Sequence, residues 1–481
     1  MESKIRAQVG VLFSLAILLS VAGLAAPVSD LDMLEAVKRG DQDAVRSLLR
    51  QDADVNATQP DGSTALAWAV HRNDLDMADL LIHSGANLNV ENNLGVTPLS
   101  LACTNGSAPM VQKLLGAGAN PNAALRSGET PLMTCSRTGN VDAVKSLLAG
   151  GADPNAKESR RGQSALMWAV AQKHAHVTQA LIEGGADLTA RSEGGFTPLL
   201  FAARVGDQES ARLLLQAGAK VNESTPKDGT ALLVASASGH EQLAIYLIEK
   251  GADPNAADPN GVTALHFATL KGLPTIGRLR YSTADSYLFR PNLLELAKEL
   301  LKRGANPNAR ISKMPSEFAS ELIWIDPVGA TPFLLAAAAN DLRFMRMLAE
   351  NGADTSLTTK DHTTPLMVAA GIGQTAERSE EEEKRALETA KLVVELGADV
   401  NGADTSGQTA LHAASYIGAD AIARFLVEQG ANVDAADSYG MTPLGIAEGI
   451  PTPELPRTKR IRRPHPETAD VLRQAARSVS N

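Results

Sequence analysis

TALAWAVHRNDLDMADLLIHSGANLNVENNLGVTPLSLA, residues 64–102, holds one complete pass of a pattern that recurs along this 481-residue chain, and the start of the next pass. Thr64 stands before an apolar run, where its hydroxyl can cap an orphan N–H. In the next pass Thr97 is followed by Pro98, at the helical position that needs no donor. A second apolar segment carrying Leu80-Leu81 ends at Gly85, a residue suited to the left-handed conformation that closes a helix. The polar stretch from Ala86 to Gly95 has turn chemistry and leads back to a Thr. Two short helices and a turn-rich connection are therefore expected in each pass.

The openings are Thr64, Thr97, Thr130, Ser164, Thr197, Thr230 and Thr263, spaced 33 residues apart except for one interval of 34. They resume at Thr331, Thr364, Thr409 and Thr442. Gly-Ala pairs begin in phase at Gly85, Gly118, Gly151, Gly185, Gly218, Gly251, Gly304, Gly352, Gly397 and Gly430. No unit of this size can bury its apolar faces alone, so stacking on neighbours must do it.

These landmarks resemble the ankyrin repeat, with its D-G-x-T-P-L-H-x-A-A opening, turn, Leu-Leu helix and G-A-D-x-N close. Asp61-Gly62-Ser63-Thr64-Ala65-Leu66 and Gly407-Gln408-Thr409-Ala410-Leu411-His412-Ala413-Ala414 carry the likeness. The resemblance covers about residues 30 to 477 and implies an all-α solenoid of about twelve units with hairpin-like connections. The histidine of the pattern occurs only at His266 and His412, so packing is expected to replace its hydrogen bonds elsewhere. Trp68 and Trp168, at matching places in their first helices, are expected to pack into the core.

The organisation follows from these markers: residues 1–25 as a signal peptide, 26–60 as an N-terminal capping repeat, 61–441 as the solenoid, and 442–481 as a C-terminal capping repeat. Lys4 and Arg6 precede an apolar stretch and the small residues Gly23-Leu24-Ala25-Ala26, the layout of a secretory signal cleaved near Ala25. Export to the periplasm or beyond is expected, as for a bacterial-type exported member of the family. The chain has 44% hydrophobic but only 4% aromatic residues, which suits closely packed short helices. Its formal net charge of −10 gives no support for wholesale nucleic-acid binding. Cys103 and Cys135 fall in adjacent first helices, and stacked repeats place equivalent positions roughly 10 Å apart, so buried thiols are expected.

Four breaks in the period mark where the scaffold was adapted. They lie near residues 273–291 in the eighth unit, 310–327 in the connection that follows it, 374–385 in the tenth unit, and 451–466 in the last. After the first break a capping box is expected from Asn292 and Glu295. The third is read as a lengthened, solvated second helix with Glu380–Lys384 and Glu381–Arg385 ion pairs. Tyr281, Tyr287, Phe289, Phe318, Trp324 and Phe333 are 6 of the 17 aromatics. Tyr281, Tyr287, Phe289, Arg290, Phe318 and Trp324 form a candidate partner-binding set, because Tyr, Trp and Arg are the usual interface anchors. The alternative is that some aromatics fold back over the stack. Arg457, Lys459, Arg460, Arg462 and Arg463 form a basic loop flanked by prolines, a candidate site for an anionic surface or a charged loop countering the acidic body.

No metal, haem, phosphate or nucleophile-elbow motif occurs, and His174 with His176 is read as a solvated turn. The sequence thus points to a non-catalytic scaffold, without cofactor or small-molecule substrate, that binds a protein partner and is itself monomeric. The rival reading is docking on nucleic acid or an anionic membrane through residues 457–463.

Overall fold

The computed structural model describes residues 30–269, 293–313, 326–374, 378–450 and 463–479. Twelve helix pairs follow one another in these residues, from Asp30–Arg39 with Gln42–Leu49 to Pro443–Ala447 with Pro466–Val479. The chain divides into two compact units, Met1–Glu193 and Gly194–Asn481. Within each unit every first helix packs on its own second helix and on the first helix of the next repeat. Contacts between neighbours only are what a stacked repeat requires.

Each repeat is built as its residues dictate. Thr64 is extended and its Oγ1 accepts the Ala67 N–H at 3.2 Å, starting the helix Ala65–His71. The second residue after the Thr is a fully buried leucine in repeat after repeat: Leu66, Leu132, Leu166, Leu232, Leu265, Leu366 and Leu411. On the second helix the residue four before the closing glycine is buried as well, as at Leu81, Leu114, Leu147, Leu181, Leu214 and Leu247. Burying a side chain of this size stabilises by roughly 1.5–3 kcal/mol, and the repeats supply it in regular layers.

Side chains close the seams between repeats. Asn122 Oδ1 accepts the Asp153 N–H at 2.8 Å while its Nδ2 donates to the Gly151 carbonyl at 3.0 Å. Asn56, Asn155, Asn222, Asn255, Asn308 and Asn401 make the same two-way bridge to the repeat that follows. A second ladder joins the hairpin tips, where Asn93 N–H donates to Asp61 at 2.8 Å, Ser159 to Ser127 at 2.8 Å and Ser438 to Ser406 at 2.8 Å. At the opposite edge Asn140 Nδ2 donates to the Gly106 carbonyl, and His174 and His240 reach the Arg137 and Arg204 carbonyls at 3.1 Å. Gly139, in the left-handed region, lies under the His174 ring: a Cβ there would come within 2.7 Å of it. His174 is therefore an inter-repeat contact rather than a solvated turn.

The single 34-residue interval has a local cause. Lys157 pairs with Ser164 across its hairpin, one residue further than Thr58 with Thr64 or Ala257 with Thr263. The extra residue is absorbed by Glu158, whose longer side chain accepts the Arg160, Arg161 and Gln163 N–H groups at 2.7–3.0 Å. Burial pushes this carboxyl up, but the three backbone donors outweigh it and hold it below the usual glutamate value.

Several expectations are corrected. Cys103 and Cys135 form a disulfide, with Cα atoms 4.6 Å apart. Their separation is 32, not the repeat length, so they are not equivalent positions. Cys103 is six residues after its Thr and Cys135 five after its own, which turns the two side chains toward each other across the seam. In the eighth unit the helix Leu294–Lys302 is preceded by Leu293, which gives no side-chain cap, and Asn292 lies outside the described residues. Glu241, from the preceding repeat, accepts the Leu296 N–H instead, at 3.1 Å. The tenth unit does have a lengthened second helix, Glu380–Glu395, but Glu380–Lys384 and Glu381–Arg385 do not pair. Ser379 and Glu382 form its capping box, and solvated ion pairs at a helix surface add little.

The two histidines of the repeat pattern are buried. Nδ1 of His266 accepts the Thr263 N–H at 3.1 Å, and His412 does the same for Thr409 while donating from Nε2 to the Met441 carbonyl at 3.0 Å. Packing is not the only substitute elsewhere, for Ser100 Oγ takes the Thr97 N–H at 3.0 Å. Burial pushes His266 down to about 4.

Two outcomes follow. Asn122→Ala should lower stability toward urea by about 1–2 kcal/mol through loss of both bridging bonds; an unchanged midpoint would show that the seam does not depend on them. The unfolded chain protonates His266 near its ordinary value whereas the folded chain resists, so its stabilising contribution is complete above about 6.5 and is lost as pH falls toward 4. Urea titrations at pH 7 and 4.5 should differ by about 2–3 kcal/mol more in the native chain than in His266→Gln. Equal pH sensitivity of the two would refute this.

Candidate functional site

Seven residues after the opening Thr or Ser the first helices carry a mostly outward position, whereas the fourth is buried in most repeats, as at Thr134, Phe201, Val234, Leu335 and Val368. In the first unit the fourth position holds Trp68 and Trp168, both half-buried rather than in the core. Lys38, from the preceding repeat, sits 5.0 Å over the Trp68 ring, and Arg137 sits 5.3 Å over Trp168. The two stacks use the same offset, with the cation of one repeat over the indole of the next. Trp68 Nε1 donates to Gln59 at 3.1 Å, whereas Trp168 Nε1 has no partner. Glu129 steadies the second stack by accepting from Thr134 at 2.8 Å and pairing with Arg137 at 3.4 Å. Each exposed cation–aromatic contact is worth about 0.5–1 kcal/mol and leaves an amphipathic surface facing water.

The second unit has its own outward features. Arg204 lies 4.9 and 4.8 Å over Phe196 and Phe201, whose rings meet edge to face at 5.7 Å. Further along, the hairpins and first helices of the tenth to twelfth repeats enclose a cavity of about 210 Å³ lined by Asp361, Asp404, Gln408, Tyr416 and Tyr439 among others. Tyr439 is one of three exposed large hydrophobic residues among the described ones, together with Leu94 and Ile450. Tyr439 and Leu94 occupy the same place in their repeats, just before the hairpin-tip glycines Gly440 and Gly95.

The sequence-derived sets fare differently. Tyr281, Tyr287, Phe289, Arg290, Phe318 and Trp324 lie outside the described residues, as do Arg457, Lys459, Arg460 and Arg462. Arg463 is described and exposed, two residues before His465. Phe333 is buried in the ninth first helix, so that aromatic belongs to the stack. The flanks of the second interruption are also part of the fold. Ile311 N–H donates to Ala330 at 3.1 Å, Gly329 N–H to Ile311 at 2.7 Å, and Ile311 joins the apolar cluster of Val262, Leu334 and Leu335. The departure from the period is thus narrower than 310–327, because Arg310 and Ile311 keep regular hairpin roles. Missed in the sequence were Lys38, Arg137, Arg204, Asp361, Asp404, Tyr416 and Tyr439. Reading each first helix by position after its Thr, instead of by residue type, marks Arg137, Arg204 and Tyr416 at one outward place.

Among the described residues no group of three or more His, Cys, Asp and Glu side chains is placed to hold a metal ion, and no helix is long and apolar enough to cross a membrane. The outward rows can hold a chain against aromatic faces and fixed charges. A family model described as ankyrin repeats (3 copies) matches residues 33–124, 132–225, 218–311 and 382–449. Repeats of that kind imply protein partners and are generally non-catalytic. No curated protein matches the chain.

Proposed function

Because the chain belongs to the ankyrin-repeat family, we propose that it is an exported scaffold that grips a folded protein along the outward rows of its first helices and hairpin tips. The observation that carries this reading is the pair of stacked cation–indole contacts, Lys38–Trp68 and Arg137–Trp168, set at one repeat offset in the first unit. Half-buried tryptophans and arginines held in place before binding lose little side-chain freedom when a partner covers them, which is why such residues dominate interfaces. We place Tyr281, Tyr287, Phe289, Arg290, Phe318 and Trp324 in the same role, as anchors carried on the interruptions.

Two features support export. One is the basic, apolar and small-residue layout of residues 1–25. The other is the Cys103–Cys135 bond, which joins adjacent repeats and persists in oxidising compartments. A disulfide closing a loop of this length stabilises by about 3–4 kcal/mol in the chain-entropy account, so oxidation would matter to the first unit.

Affinity capture by the full chain from the native envelope fraction tests the reading. A bound protein should be recovered about tenfold or more less efficiently by Trp68→Ala/Trp168→Ala, and separately by Trp324→Ala, with the thermal transition of each variant checked for folding. Undiminished capture by the folded double variant would sink the assignment to the helix rows. The mature chain should begin near Ala26 and react with maleimide only after denaturation and reduction. An intact Met1 together with two alkylated thiols would exclude export.

A further inference from the structure

The cavity in the tenth to twelfth repeats has a chemistry that the general scaffold reading does not specify. Asp361 is held by one oxygen: its Oδ1 accepts from the Thr359 hydroxyl and, at 3.0 Å, from that of Thr363. Asp404 is held in the same way, its Oδ1 accepting the Ser406 and Gln408 N–H groups at 2.8 and 2.9 Å. The Oδ2 of each accepts no hydrogen bond from a described residue, and neither carboxylate is ion-paired with a described Lys or Arg. Each turn thus fixes a carboxylate in orientation and leaves half its accepting capacity unused.

Among the described residues no basic group pairs with either carboxylate. His412 lines the cavity, but its Nδ1 accepts from Thr409 and its Nε2 donates to the Met441 carbonyl at 3.0 Å, so the ring is neutral. Burial holds it below the usual histidine value. Arg378 lies beside Gly371 and Gln374, donating to the Gln374 side chain and the Ala369 carbonyl at 2.9 Å, while its Nη1 is buried without a partner and the charges of Glu383 and Glu382 face it. Among the described residues the lining therefore presents two carboxylates without a counter-charge, next to two aromatic rings. Tyr416 is half-buried on the eleventh first helix, and Tyr439 stands exposed on a hairpin tip.

We propose that this cavity receives the guanidinium of an arginine side chain on a partner polypeptide, with its plane against the tyrosines and its N–H groups directed to Asp361 and Asp404. The volume of about 210 Å³ suits one long side chain rather than a helix or strand. A planar, always-charged fork that stacks on aromatic faces and donates to two carboxylates matches the lining better than a compact ammonium does. The inference rests on the chain being a protein binder and names the recognition chemistry at one place.

The test uses the full chain, with N-acetyl-arginine methylamide, its citrulline isostere and the lysine analogue as probes, followed by amide NMR. The arginine probe should shift the Ser406, Gln408 and Tyr439 signals and bind about tenfold more weakly to Asp404→Asn, which keeps the Oδ1 acceptor that holds the turn. Tyr439→Ala, at an exposed position, should weaken binding without changing the thermal transition. Citrulline should leave the signals in place and lysine should move them less. Equal shifts with citrulline or lysine, or none with arginine on the folded chain, would overturn the proposal. Partner capture that Trp68→Ala/Trp168→Ala abolishes and Asp404→Asn leaves whole would overturn it as well, while the scaffold reading would stand. Failure of the native chain to retain any partner would overturn the scaffold reading, and the arginine measurement would remain independent of it.

Discussion

The asparagine that closes most repeat connections, bridging to the backbone of the next repeat at Asn56, Asn122, Asn155, Asn222, Asn255, Asn308 and Asn401, is the contact on which the rest depends. A turn-rich connection leaves backbone N–H and C=O groups without helical or sheet partners, and buried or crowded ones must be satisfied. Asn122 meets both needs at once because its amide offers an acceptor and a donor on one short arm. An aspartate could supply only the acceptor. The bridge fixes the register of neighbouring repeats, and the buried leucines of adjacent first and second helices then fall into layers without further specification.

Because stacking is settled by the seam and by the inward positions, the outward positions of the first helices are free to take any residue. That freedom is where the chain differs from a bare scaffold. Lys38 and Arg137 stack on indoles of the following repeats, Arg204 covers two phenylalanines, and Tyr416 overlooks a cavity flanked by two fixed carboxylates. Each arrangement draws residues from more than one helix or hairpin, held rigidly before any partner arrives. Preorganisation of this kind reduces the ordering cost of binding and favours selective contacts over strong nonspecific ones.

The interruptions in the period show how much departure the seam tolerates. Glu158 absorbs one additional residue by reaching three backbone donors, and Glu241 caps the helix that restarts after the longest interruption. Around the second interruption the pairing of Ile311 with Ala330 keeps the hairpin intact on both sides. Long insertions cost little loop entropy when the ends are pinned in this manner, since the cost grows only logarithmically with length.

The sequence by itself determined the repeat, its phase, its helix starts at Thr or Ser, and its closing glycines, because these depend on chemistry between residues a few positions apart. It also located the interruptions and the inward leucines, which follow from periodicity. What it left undecided were partnerships across the seam. Equivalent positions are a repeat apart, but side chains that meet are offset by helical rotation, so Cys103 finds Cys135 through a separation of 32 and Arg137 finds the indole of Trp168. Trp68 and Trp168 were legible as aromatics at helical spacing, but not as the half-buried, cation-covered residues they are. The cavity at Asp361 and Asp404 was invisible for the same reason: its lining is gathered from three repeats, and only the stacking brings those side chains around one space.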